Sequence, residues 1–216
     1  MRLAMPSAVR RLPLAEPDRA VREFAAIIGE LRDAPAGAAA DLEALAAEAI
    51  DAARRDGAFL MAVVAPADAD PALLIGVPLA VPPTWDTTTV DGVRDAVEDV
   101  GGPDVRRTVV IDSPIGPAVV AQRVPGIEQA RAGLPLTLQL QAFIPEPGSG
   151  RMLLLTLTAP SQRGWPSHQA LFAALVGSAS PTTSPVDQPA PPPPTTRRPR
   201  PHPADDDSYE HHTYQL

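Results

Sequence analysis

His168, in the stretch Gly164-Trp165-Pro166-Ser167-His168, is the one histidine outside the last fifteen residues of this 216-residue chain. An imidazole there could act as a general base if the fold brought it a hydroxyl nucleophile and an orienting carboxylate. No G-x-S-x-G or comparable nucleophile context accompanies it, so the residue types favour a surface or helix-start histidine. Gly148-Ser149-Gly150 lacks the Gly-Lys-Ser/Thr that completes a phosphate loop and falls between two strand-like runs, which is the setting of a hairpin turn. Asp91, Asp95, Glu98 and Asp99 are the remaining cluster with metal-ligand chemistry. Asp95, Glu98 and Asp99 would share one helical face, but no second ligand set accompanies them, and a solvated face is the plainer reading. The chain has no cysteine, which removes thiolate metal sites, thiol nucleophiles and disulfides. No catalytic residue, metal or cofactor is expected.

Two other groups of residues have recognition chemistry. Gln122, Thr137, Gln139 and Gln141 could form a polar strip on the sheet where a small ligand or peptide could dock, although an ordinary wet sheet face is the plainer reading. Trp85 and Trp165 lie next to prolines at element boundaries and read as plugs at the rim of a core. The C-terminal end is the stronger anomaly. Arg197-Arg198-Pro199-Arg200 follows a proline run, as in ligands of aromatic-lined grooves. Tyr209 and Tyr214, the only tyrosines, fall in the last eight residues, and the chain ends on Leu216. Arg197, Arg198, Pro199, Arg200, Tyr209, Tyr214 and Leu216 are therefore the candidate partner-binding residues.

These residues must be positioned by the elements around them. Val21, Phe24, Ile27, Ile28 and Leu31 recur at helical spacing, as do Leu42, Leu45, Ala46, Ala49, Ile50 and Ala53, with Gly57 placed for a C-cap. A pair of helices is expected over 18–56. Ala58–Val64 is continuously apolar and reads as a central strand. Ala72–Val81 reads as its neighbour, and Pro78 places it at an edge or at a bulge. Val90, Val93, Val97 and Val100 mark a short middle helix. Arg107–Ile111 and Ala118–Val124 flank a Pro/Gly turn as a hairpin. Leu134, Leu136, Leu138, Leu140 and Ala142 alternate with polar residues, and Leu153, Leu155 and Leu157 do the same after the Pro147-Gly148 turn. Leu171, Phe172, Ala174, Leu175 and Val176 then belong to a terminal helix. The class is α+β: an antiparallel sheet of five to six strands, with two N-terminal helices, one middle helix and one C-terminal helix packed on it. Residues 1–178 form the single domain, with sheet and helices over 58–176.

Beyond about residue 179 the composition changes. Residues 181–203 hold ten prolines, so 179–216 reads as a disordered, proline-rich tail with polyproline II character. Eighteen arginines and no lysine, with abundant alanine, proline and valine, suggest a GC-rich bacterial gene. The 26 acidic residues outnumber them for a net charge of −8, and the cations do not cluster as a phosphate-backbone partner requires. No nucleic-acid partner is expected. Residues 1–17 lack the apolar run of a secretory signal, and no run approaches the ~18 apolar residues of a membrane span. The reading is a cytoplasmic protein without membrane insertion.

Ile144-Pro145-Glu146-Pro147-Gly148, Leu153–Pro160 and Leu171-Phe172-Ala173-Ala174-Leu175 together resemble a set of poorly characterised proteins of GC-rich bacteria. These proteins share a V/I-P-x-P-G turn, an LLLxFxTP strand and an LFxAI helix; Leu157 stands where their pattern has an aromatic. The hairpin and helix are also similar to the end of the Mog1/PsbP-type α/β sandwich. The resemblance implies a non-enzymatic binding or assembly role. The functional expectation is a protein-binding or adaptor module whose partner is another protein, with the resemblance implying a bacterial secretion or assembly setting. The alternatives are a cargo or effector with a C-terminal targeting peptide, or a small-ligand enzyme using His168, which would need a pocket at His168 lined by a carboxylate and a hydroxyl.

Overall fold

A computed structural model describes residues 2–31, 37, 39–82, 84–124, 137–146 and 149–181. These belong to the compact unit Met1–Thr182; Thr183–Leu216 lies outside the described residues. The elements in chain order are β1 (Val9–Arg11), α1 (Pro17–Leu31), α2 (Ala39–Arg55), β2 (Leu60–Val64), β3 (Ala72–Ala80), α3 (Val90–Gly101), β4 (Val105–Ile111), β5 (Ala118–Arg123), β6 (Leu138–Glu146), β7 (Arg151–Ala159) and α4 (Trp165–Gly177). The fold is α+β, with seven strands where five to six were expected. The additional strand is β1, whose three residues Val-Arg-Arg are too few to show an alternation. Pairing with β2 makes it a strand.

The sheet is antiparallel throughout, in the order β1-β2-β3-β7-β6-β5-β4. Pro78 does not put β3 at an edge, nor is there a register shift: β3 is the third strand, paired continuously with β7 from Leu73↔Thr158 to Ala80↔Arg151. The reason lies in the ladder. The Phe59 N–H donates to the Gly76 carbonyl (2.9 Å) and the Val81 N–H to that of Gly150 (3.1 Å). Main-chain groups of successive residues point alternately to the two neighbours. Gly76 and Pro78 therefore face β2, while Val77 faces β7. β2 begins at Leu60, opposite Gly76, so no β2 residue pairs with position 78. The missing N–H of Pro78 breaks no bond.

Alternation along the strands assigns side chains to two faces. One carries Leu60, Leu74, Leu155, Leu157, Leu140 and Ile144 and is closed by α4 through Trp165, Phe172, Leu175 and Val176. Gly76 belongs to this face, and a Cβ there would meet the Phe59 ring at 2.8 Å and the Leu155 side chain at 2.9 Å. Leu3 and Met5 of the N-terminal segment pack on the same side. The opposite face is covered in two separate places. Phe24 and Ile27 of α1 and Ile50 and Ala53 of α2 lie on Met61 and Val63, while Val93 and Val97 of α3 lie on Val119, Phe143 and Met152.

Local capping fixes the ends of these helices. The Thr89 hydroxyl accepts the Gly92 N–H (3.0 Å) at the start of α3, which offsets the weak helix propensity of four valines. Gly57, beyond α2, has φ +72°, the left-handed geometry of a C-cap. The apolar stripes are narrower than the spacing suggested. Leu45 is 53 % exposed and Val100 75 % exposed, and Ala174 also faces solvent. Leu134 and Leu136 lie outside the described residues; from Leu138 onward the alternation holds, with Leu138, Leu140 and Ala142 buried.

Candidate functional site

Between the two helical covers, the middle of the sheet carries a polar square. Leu73, Thr158, Gln139 and Arg123 form one cross-strand row, and Ile75, Thr156, Gln141 and Ala121 form the next. Gln139, Gln141, Thr156 and Thr158 are all half-buried, whereas the residues between them on β6 and β7 are buried against α4. The alternation of both strands thus sends leucines to one side and amides and hydroxyls to the other. Arg123 closes the square. Its guanidinium donates to Gln141 Oε1 (3.2 Å) and lies 3.8 Å from an Asp104 oxygen. The cation is therefore tethered at the rim of the strip with its donors held in place. Along the other flank the square runs into an apolar recess of about 350 Å³ under the C-terminal half of α1, lined by Phe24, Ile28, Leu31, Leu73, Thr137 and Thr158.

This placement revises the strip expected from sequence. Thr137, Gln139 and Gln141 are brought together, but Gln122 is on the opposite face. It pairs with Leu140 in the ladder, and its side-chain oxygen accepts from Gln169 of α4 (3.0 Å). Thr156, Thr158 and Arg123 complete the square and were missed. They stand on different runs of sequence, and only the β5-β6-β7 register places them beside the glutamines.

His168 is not a surface histidine. It is 0 % exposed, inside α4, and its Nε2–H donates to the carbonyl of Asp70 (2.8 Å). Its Nδ1 and the nearby Trp165 Nε1 are buried with no hydrogen-bond partner among the described residues. The surrounding carboxylates are occupied elsewhere: Ser167 donates to Asp68 (2.5 Å), Ser161 donates to Asp70 (2.6 Å), and Arg163 donates to Asp70 (3.4 Å). The Ser167 hydroxyl holds the Asp68 carboxyl below the ordinary carboxylate range. The set locks the β2–β3 turn to the start of α4. His168 lines none of four recesses found among the described residues, and no described carboxylate or hydroxyl bonds its ring. The one hydrogen bond that the described residues give the ring goes to a main-chain carbonyl.

The other candidates occupy structural positions. Asp91 pairs with Arg94 (2.9 Å), and Glu98 accepts from Thr108 (2.5 Å). No group of three or more His, Asp or Glu side chains is placed to hold a metal among the described residues. Ser149 bonds the Glu146 carbonyl (3.0 Å) in the β6–β7 turn, where Gly150 has φ +62°; Gly148 lies outside the described residues. Trp85 packs on Phe143 with ring centroids 6.1 Å apart, and Trp165 belongs to the core under α4. A recess of about 700 Å³ forms an open hollow by the β1–α1 connection. Its Arg19 is already paired with Glu16 and Glu23. Arg197, Arg198, Pro199, Arg200, Tyr209, Tyr214 and Leu216 lie outside the described residues. No described helix is long and apolar enough to cross a membrane. Compared with known proteins, the chain matches no family model and no curated protein sequence.

Proposed function

We propose that this protein is a non-enzymatic protein-binding module, and that the polar square with its flanking apolar recess is the surface it presents. The observation that carries the reading is the interrupted cover that the described helices give one sheet face: α1 and α2 close one end, α3 the other, and half-buried Gln139, Gln141, Thr156 and Thr158 lie between them. Amides and hydroxyls on a rigid sheet can donate and accept to a polypeptide, while the recess beside them offers apolar burial. The partner is another protein, and the likeness of the β6–β7–α4 unit to the end of the Mog1/PsbP-type sandwich suggests a secretion or assembly setting in the cytoplasm. A second reading rests on Tyr209, Tyr214 and Leu216, which suit a cargo or effector with a C-terminal targeting peptide.

Affinity capture from the native host separates these readings when the full chain is compared with Gln141→Arg/Thr156→Arg and with a chain ending at Ser180. A binding partner lost with the double substitution, at unchanged circular dichroism, supports the sheet surface. A partner lost only with the tail favours the targeting peptide. Identical captures from all three, indistinguishable from an unrelated bait, would sink both.

A further inference from the structure

On the face that α4 covers, a recess of about 340 Å³ lies between that helix and the strands β4 and β5. The helix crosses these strands obliquely. Early in α4, Gln169 bonds Gln122 on β5 (3.0 Å), whereas at its last residue a Cβ on Gly177 would stand 3.7 Å from the Ile111 side chain on β4. The recess is therefore a wedge, open toward Arg107 and closed at Ile111. From Arg107 to Ile111 the strand rises about 13 Å.

The ladder sorts the lining by chemistry. Arg107 pairs with Gln122, Val109 with Val120 and Ile111 with Ala118, and residues two apart share a face. The mouth is thus polar, made by Arg107, Gln122 and Gln169. The throat is apolar: Val109 and Val120 on the sheet side, Phe172 and Ala173 on the helix side. Arg107 is exposed, and no carboxylate among the described residues pairs with it. The Gln122 oxygen is taken by Gln169, so its amide nitrogen remains a donor.

A cation and an amide donor at one end of an apolar slot complement a single anionic head on an apolar chain. We infer that this wedge binds a free, unbranched medium-chain carboxylate, with its head on Arg107 and Gln122 and its chain running past Val109 toward Ile111. The volume lies at the small end of the range of ligand sites, about 300–1,000 Å³, and the closed end limits chain length. In a chain of net charge −8, this local cation is what selects an anion. The site is separate from the polar square, which lies on the opposite face of the sheet, so the two stand or fall independently.

Titration calorimetry of the full-length chain with decanoate, kept below its micelle concentration, should show a single saturable site. Decanol, with the same chain and no charge, should bind about tenfold more weakly or worse. Arg107→Gln should bring decanoate to the decanol level and leave decanol unchanged, and Arg107→Glu should favour decylamine over decanoate. Ala173→Leu, which fills the throat, should weaken decanoate and decanol alike. Arg107 is exposed and bonded to no described side chain, so its variants should keep the melting midpoint, and the charge test stands even if Ala173→Leu fails to fold. A wild type that does not bind decanoate overturns the inference, even if a peptide or anionic vesicles then bind. Equal affinity for decanoate and decanol, or an Arg107→Gln variant with undiminished decanoate affinity, overturns it as well.

Discussion

Gly164 and Asp68 show how single residues hold the β2–β3 turn against α4. Gly164 has φ +68°, and a Cβ there would run into Ala69, so conformation and space both demand glycine. Gly164→Ala should cost more than about 1 kcal/mol, read by chemical denaturation. Asp68 is held below the ordinary carboxylate range chiefly by the Ser167 hydroxyl. A depressed folded-state value stabilises the fold at neutral pH, and the contribution is lost as pH falls from the unfolded value through the folded one. Ser167→Ala should raise the Asp68 value toward normal in an NMR titration and flatten that acid limb; an unchanged titration would refute the assignment. None of this was legible in Ser167-His168. The short spacing suggested a helix start, but burial at that start depends on Asp68 and Asp70, about a hundred positions away. His168 is buried because a turn from another strand pair closes over it.

At the scale of elements, β3 illustrates how a residue preference can be satisfied by an unexpected topology. Proline argues for an edge, and the edge exists, but only over the last residues of a central strand, where β2 has not yet begun. Two neighbouring positions should therefore behave oppositely. Pro78→Ala should change stability by less than about 1 kcal/mol, while Val77→Pro removes a donor aimed at β7 and should cost at least about 2 kcal/mol. Equal effects at both positions would contradict the ladder phase. Helices and hairpins were readable because their signals are local: valines at helical spacing capped by Thr89, and Pro114 and Gly116 between two apolar runs. β1 was not, since Val9-Arg10-Arg11 has no periodicity of its own and becomes a strand only against Val64, Val63 and Ala62.

At the scale of the whole described unit, its first and last segments meet. Arg2 and Ser180 exchange both main-chain hydrogen bonds (2.8 and 3.0 Å), the Ala4 N–H donates to the Ser178 hydroxyl (2.9 Å), and Ala179 is fully buried. A chain ending at Ser180 should keep the full-length melting midpoint, whereas one ending at Gly177 should lose at least about 2 kcal/mol from these bonds and that burial. A midpoint that falls equally in both would show that residues beyond 180 support the fold. The sequence by itself determined the α+β class, the helix pair, both hairpins and the leucine-lined face under α4, because each follows from side-chain period within one run of chain. Tertiary pairing alone parts Gln122 from Gln139 and Gln141, joins Thr156, Thr158 and Arg123 to them, and leaves β4 as the last described strand on its side of the sheet. Strand order and register couple residues far apart in sequence, and no local period encodes which strands become neighbours.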